Sequence, residues 1–194
     1  MNKGGADISR VEVRFHGTNS RGVHAARDIK KGETILFVPK SLILTFEKAR
    51  TTPIAKKMLD NADLLERVGD QKPIICAYIL SQRRKVNKAS QEFGAYLETL
   101  PTNGREFPIF FGEEEYGYLE GSPFIDVVKH EKESFMTRFV EICAEIEEYK
   151  SFTVDEYKEV MALIYSRAFK VTIDGEEEHW MVPFADMFNH RLAK

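Results

Sequence analysis

The sequence predicts an α+β fold in which a β-rich core is divided by a long helical segment. Near the N-terminus Val11, Val13 and Phe15 alternate with charged residues, the period of a half-buried strand. From Thr45 onward the apolar residues recur every three or four positions instead, which is typical of amphipathic helices. Strand-like residues return around Asp174-Gly175, a dipeptide that favours a tight hairpin turn.

The N-terminal strands are expected to form a small unit of hairpins. The first strand ends at a loop through Gly17, and residues 22–26 form the second strand. A turn at Lys30-Lys31-Gly32 then leads into a β-rich run over residues 33–38, which Pro39 ends.

The middle of the chain is expected to be helical. Thr45 caps a helix that begins at Phe46, and helical spacing continues to Gly69. Thr153 with Glu156 three residues later is a capping box, so a helix is expected to follow. Further helices are predicted over 74–80 and around 135–149, and a hairpin over 171–173 and 179–182.

Composition excludes several classes of function. The net charge of −3 and the absence of long basic runs argue against direct nucleic-acid binding. No run approaches the ~20 apolar residues of a membrane span, and no histidines are paired at metal-ligand spacing. Cys76 and Cys143 each lie in an apolar run, which favours buried free thiols and an intracellular protein of the cytoplasm or nucleus.

The stretch Pro183-Phe184-Ala185-Asp186-Met187-Phe188-Asn189-His190 is the strongest candidate for a functional site. Buried Asp, Asn and His side chains need hydrogen-bond partners, so such a run lines a pocket more often than it fills a core. A second motif runs from Ser20 to Glu33 and contains Arg21-Gly22 and Lys31-Gly32. Gly22 serves a bend on the simplest interpretation, since glycine tolerates positive φ.

These two motifs together resemble the SET-domain protein methyltransferases, in the branch of the Rubisco large-subunit and actin-histidine methyltransferases. The resemblance implies a SET-type β-core split by a helical insert and incomplete at the C-terminus. It divides the chain into an N-terminal SET β-unit (1–48), a helical SET insert (49–175) and the start of the C-terminal SET core (176–194).

The resemblance also implies S-adenosyl-L-methionine as cofactor and a protein as substrate. Asn189 and His190 would contact the cofactor, and Arg167 would bind its methionine carboxylate. From the residue alone, Arg167 is a snorkelling arginine at a helix edge, and its place in the resemblance favours the carboxylate-binding role. The cofactor-binding residues implied are Asn19, Ser20, Arg21, Arg167, Asp186, Asn189 and His190.

Phe169 and Ala185 are the positions that bear on the substrate. The resemblance implies that lysine-directed members have an aromatic residue at the first position and a small residue at the second. In the histidine-directed enzyme, the first position is Asn and the second is Trp. An apolar wall disfavours the charged form of a lysine amine and so lowers its pKa. From the residue alone, Phe169 is as readily a plain core residue.

The resemblance implies that the catalytic Tyr lies beyond Lys194, so no catalytic residue is assigned within the chain. Residues 1–194 alone are therefore expected to transfer methyl groups poorly, with Phe184 and Phe188 more exposed than a finished core allows. The primary interpretation is a protein-lysine N-methyltransferase. The alternatives are a non-catalytic, SET-derived protein-binding module and a protein-histidine N-methyltransferase.

Overall fold

The computed structural model describes residues 4–17, 20–69, 71–85, 92–102 and 107–189. Two antiparallel hairpins lie at the two ends of this part of the chain, and helices fill the space between them in sequence. The strands are β1 (Val11–His16), β2 (Ser20–Ala25), β3 (Phe169–Ile173) and β4 (Glu176–Trp180). The helices are α1 (Phe46–Ala49), α2 (Pro53–Leu59), α3 (Ala62–Val68), α4 (Gln71–Arg83), α5 (Gly94–Thr99), α6 (Phe124–Glu145) and α7 (Val154–Arg167).

The N-terminal hairpin forms as predicted, but the β-rich run over 33–38 does not become a strand. β1 pairs with β2 along its length, from Val11 opposite Ala25 to His16 opposite Ser20. In the run 33–38 only Phe37 pairs, through a single bridge to Asp7. Ile35 and Phe37 are 44% and 54% exposed, so the run has little apolar surface to gain by extending the pairing. The prediction of a strand there was wrong.

The segment from Phe46 to Gly69 is helical, yet it consists of three short helices rather than one. Each begins at its own side-chain cap: Thr45 accepts a hydrogen bond from Lys48 N, Thr52 from Ala55 N, and Asn61 from Leu64 N. A cap residue has non-helical backbone, so a second and third cap interrupt the helix. Pro53, at the first turn of α2, fits this arrangement because its missing N–H is not needed there.

The core lies where α4 packs against α7. Residues 73–80 of α4 are all buried, and Val160, Met161, Leu163 and Ile164 of α7 are almost completely inaccessible to solvent. Cys76 is a free thiol inside this core, and burial raises its pKa, so it stays protonated at neutral pH. None of the helices in the described ranges is both long enough and apolar enough to cross a membrane.

The second hairpin is followed at once by a pairing to a segment distant in sequence. β3 pairs with β4 from Phe169 opposite Trp180 to Ile173 opposite Glu176. The turn residues Asp174 and Gly175 both have positive φ, 52° and 87°, as a type I′ hairpin turn requires. Just after β4, Leu44 and Met181 form a β-bridge with N···O distances of 3.0 and 2.9 Å. The predicted domain boundary at 175/176 falls in the turn of this hairpin.

We expect Thr153→Ala to lower the free energy of unfolding by about 1 kcal/mol, the usual cost of losing an N-cap. Thr153 Oγ1 accepts a 3.1 Å hydrogen bond from Glu156 N, and the Glu156 carboxylate accepts a 2.8 Å bond from Thr153 N, so the predicted capping box is confirmed. Urea denaturation measures the change. The control is Thr137→Ala at an exposed position within α6, where alanine is the better helix former. Equal effects of the two substitutions would contradict the capping role.

Candidate functional site

A cleft opens where the C-terminal end of α7, the start of β3 and the short 3-10 helix Ala185–Met187 meet. Most of the residues singled out in the second half of the sequence lie in its walls. They come from two segments that are separated by the β3–β4 hairpin and brought together when that hairpin folds back. The lining residues are Ser166, Arg167, Ala168, Phe169, Ala185, Asp186, Phe188 and Asn189.

Arg167 and Asp186 are the charged pair of the cleft. Arg167 Nη1 donates to the main-chain oxygen of Asp186 at 3.1 Å and lies 3.4 Å from its carboxylate Oδ2. The side chain of Asp186 is fully buried, and that of Arg167 is 19% exposed. Within the described part of the chain, Arg167 Nε and Asp186 Oδ1 are buried without hydrogen-bond partners. Arg167 therefore turns inward rather than snorkelling, and one donor of its guanidinium remains to be satisfied.

The strand β2 lies at the edge of the cleft. A Cβ atom placed on Gly22 would lie 3.5 Å from Nδ2 of Asn189, so the main chain of β2 runs beside that amide. Gly22 lies within the strand and is not one of the glycines with positive φ, so it does not serve the predicted bend. The structure thus brings Arg167, Asn189 and β2 together although they are far apart in sequence.

The remaining predicted residues are placed as follows. The Arg21 side chain is directed to α5, where its Nη2 donates to the carbonyl oxygen of Thr99 at 2.7 Å. The main chain of Ser20 pairs with His16 at the end of the hairpin. Asn19 and His190 lie outside the described residues. In the part of the chain that the structure describes, no three His, Cys, Asp or Glu side chains come close enough to hold a metal ion.

The segment before Asn189 is more buried than the sequence suggests. Phe184 adopts a φ of 71°, which turns its side chain inward, where it is 6% exposed. Phe188 is partly buried and contacts Phe184 with a ring-centroid distance of 6.3 Å. The expectation that Phe184 would be exposed was wrong, because a left-handed turn at a non-glycine residue cannot be foreseen from residue type.

Comparison with solved structures decides the fold. The SET domain of LSMT, solved with lysine and AdoHcy, superimposes with a TM-score of 0.79 at 21% identity, covering 98% of this chain and 43% of that one. This chain has the SET-domain fold. Rubisco LSMT, solved with sinefungin and monomethyllysine, agrees with a TM-score of 0.77 at 21% identity over 98% of this chain and 43% of that one.

Sequence comparison points to the same branch. Actin-histidine N-methyltransferase of Homo sapiens is 25% identical over 197 residues, which cover 96% of this chain and 32% of that protein. The proteins of the same name from Mus musculus and Rhinolophus ferrumequinum match at the same identity and the same shares. The chain thus spans about a third of the length of these curated relatives. A scan against protein-family models finds no match. The resemblance inferred from the sequence is confirmed.

Arg167 and Asp186 are the two charged side chains among the described residues that line the cleft. Burial raises the pKa of Asp186 above its ordinary value, although Tyr96, Arg167 and Arg21 each act to lower it. The carboxylate that balances the Arg167 guanidinium is therefore itself costly to ionise. A guanidinium paired in this way suits an anionic group of a ligand.

We expect Asp186→Asn to gain stability relative to the wild type as pH rises. The unfolded chain releases the Asp186 proton near pH 3.9, whereas the folded chain holds it to higher pH. The contribution of Asp186 to the free energy of unfolding is therefore fully present below the unfolded pKa and falls as pH rises through the raised folded pKa. Denaturation of both proteins between pH 3.5 and 7 measures the difference.

The control for this pH series is Glu148→Gln, which should change in the opposite direction. A hydrogen bond from Lys57 lowers the pKa of Glu148, so its contribution is present at neutral pH and lost as pH falls. The stability of both variants relative to the wild type could instead change with pH in the same direction. The charged partners of Asp186 would then outweigh its burial, which contradicts a raised pKa of Asp186.

Sequence reasoning missed Tyr96 as a residue of this site. Its hydroxyl donates a 2.9 Å hydrogen bond to Asp186 Oδ2 across 90 positions in the chain. The available signal was general: a tyrosine in an apolar run needs a partner for its hydroxyl once it is buried. Nothing in the sequence identifies Asp186 as that partner.

Proposed function

We propose that this SET domain binds S-adenosyl-L-methionine and belongs to a protein methyltransferase that acts on lysine. The observation that carries the proposal is the cleft in which Arg167, Asp186 and Asn189 meet beside β2. The solved neighbours of the same fold are complexes with AdoHcy or sinefungin and with lysine or a methylated lysine.

The residues of the cleft fit the amino-acid end of this cofactor. The unsatisfied Nε of Arg167 belongs to a planar group that binds carboxylates through two parallel hydrogen bonds. The amide of Asn189 can donate and accept without adding a charge. The main chain of β2 at Gly22 runs beside this amide, at the same edge of the cleft. When bound, S-adenosylmethionine supplies a methyl group that its sulfonium already activates for transfer.

The chain itself would contribute positioning of the cofactor and exclusion of water. Asp186 fixes the guanidinium of Arg167 from one side, which leaves the opposite side for the carboxylate. Phe169, although 43% exposed, lines the cleft together with Ala185. An apolar wall at that place would remove water from a lysine amine and lower its pKa from ~10.4, which favours the neutral, nucleophilic form.

Histidine methylation is the second candidate, and the curated relatives support it because they are named actin-histidine N-methyltransferases. An imidazole acceptor needs a hydrogen bond to orient its reactive nitrogen. Phe169 and Ala185 have no side-chain group that can form such a bond. The side chains at these two positions therefore favour lysine, whereas the names of the relatives favour histidine.

Product analysis tests the proposal. The complete product of the gene is incubated with S-adenosylmethionine carrying a labelled methyl group and with protein extract. The labelled proteins are then hydrolysed to amino acids. Labelled methyllysine is the expected product. Labelled methylhistidine would instead support the second candidate. If residues 1–194 did not bind S-adenosylhomocysteine and the gene product transferred no label, the proposal would fail, and the non-catalytic binding module would remain as the alternative.

A further inference from the structure

Tyr96 connects the helical segment to the cleft without lining it. Tyr96 lies in α5, is 7% exposed, and is not one of the residues that line the cleft. Its hydroxyl donates to Asp186 Oδ2 at 2.9 Å. Burial and the neighbouring carboxylate raise the pKa of Tyr96, so the hydroxyl stays protonated and remains a donor at every physiological pH.

Asp186 passes this contact on to Arg167. The same carboxylate oxygen that accepts from Tyr96 lies 3.4 Å from Arg167 Nη1, and the main-chain oxygen of Asp186 accepts from Nη1 at 3.1 Å. The other carboxylate oxygen, Oδ1, has no partner among the described residues. Without the tyrosine hydroxyl, only Arg167 would fix the orientation of the carboxylate. The guanidinium would then keep its bond to the main-chain oxygen of Asp186 but lose a fixed carboxylate beside it.

The same single turn of helix also holds the opposite side of the cleft. Thr99, three residues after Tyr96, accepts a 2.7 Å hydrogen bond from Arg21 through its carbonyl oxygen. Thr99 Oγ1 in turn donates to the carbonyl oxygen of Tyr96 at 2.7 Å. α5 therefore contacts both β2 and the Asp186–Arg167 pair, whose relative position defines the cleft.

We propose that Tyr96 is a positioning residue, which orients Arg167 through Asp186 and thereby sets the affinity for the carboxylate end of the cofactor. This inference rests on the proposed function. Tyr96 does not touch the cofactor, so its effect depends on the part of the ligand that Arg167 binds. A ligand that lacks the carboxylate is insensitive to Tyr96.

The test substitutes Tyr96→Phe and compares two ligands by calorimetry. S-adenosylhomocysteine carries the carboxylate, whereas 5′-methylthioadenosine lacks the whole amino-acid part. Tyr96→Phe weakens binding of S-adenosylhomocysteine about tenfold, the size expected for a hydrogen bond to a charged group, and leaves binding of 5′-methylthioadenosine unchanged. The control Tyr157→Phe removes another buried hydroxyl, one without a partner among the described residues, and leaves both affinities unchanged.

A second variant shows whether the effect runs through Asp186. In an Asp186→Asn background, Tyr96→Phe has a different effect on S-adenosylhomocysteine affinity than in the wild type, because two residues of one network are not additive. Equal effects in both backgrounds would overturn the inference. An equal loss of affinity for both ligands in Tyr96→Phe would also overturn the inference, since that result indicates general damage to the fold.

A measurement on the free protein separates this inference from the proposed function. Arg167 Nε is buried among the described residues, so its N–H is expected to exchange slowly with water in the wild type. We expect Tyr96→Phe to speed that exchange, because the guanidinium loses its fixed orientation. If the wild type failed to bind S-adenosylhomocysteine, the proposed function would fail while this exchange still tested the link from Tyr96 to Arg167. Unchanged exchange in Tyr96→Phe would overturn the positioning role.

Discussion

Replacement of Arg167 by methionine is expected to weaken binding of S-adenosylhomocysteine at least about 100-fold. Hydrogen bonds to charged groups contribute about 1.5–3 kcal/mol each, and a guanidinium fork makes two of them to a carboxylate. Arg167→Lys should retain part of the affinity, because it keeps the charge and loses the fork. Isothermal titration calorimetry measures the affinity of the wild type, Arg167→Met and Arg167→Lys for S-adenosylhomocysteine.

Two controls separate lost recognition from lost stability. Arg167→Met leaves the buried carboxylate of Asp186 without its cation, so the variant is also expected to be less stable. Combining it with Asp186→Asn should recover stability but not affinity. Arg50→Met removes an exposed arginine that pairs with Glu47 on α1. This variant should keep both the stability and the S-adenosylhomocysteine affinity of the wild type. Wild-type affinity in the folded Arg167→Met variant would contradict the assignment of Arg167.

Leu44→Ala is expected to lower the free energy of unfolding by about 2–5 kcal/mol, a large share of the roughly 5–15 kcal/mol of a typical domain. Leu44 is fully buried, and its main chain forms the bridge to Met181. The substitution leaves a cavity at the junction that holds the second hairpin, and with it the 3-10 helix of the cleft, against the core. Chemical denaturation gives the change in unfolding free energy.

The matched control is Val140→Ala, since Val140 is 64% exposed on α6. Its replacement should change stability by less than about 0.5 kcal/mol. A similar small effect of Leu44→Ala would mean that the junction tolerates the lost side chain, and that the cleft does not depend on it.

Local features of the fold were predictable from the sequence. The capping box of Thr153 and Glu156 involves residues three apart, so side-chain chemistry alone predicts it. The positive φ values of Asp174 and Gly175 likewise follow from the residue types that a hairpin turn requires. The breaks before α2 and α3 were missed, although Thr52-Pro53 and Asn61 carry the cap signals.

Contacts between distant residues were not predictable in the same way. The bridge between Leu44 and Met181 joins two segments 137 positions apart, and either residue could have paired elsewhere. The hydrogen bond from Tyr96 to Asp186 is of the same kind. Arg167 and Asn189 were placed near each other only through the family resemblance. Residue type alone left Arg167 as a surface arginine.

Chemical-shift mapping of residues 1–194 with S-adenosylhomocysteine shows whether the cleft between Arg167, Asn189 and β2 binds the cofactor. We expect the largest changes at Gly22, Asn189 and the Nε–H of Arg167. Changes confined to a different surface, such as the apolar groove lined by Phe124, Val127 and Tyr165 between α6 and α7, would contradict it, as would no change at all.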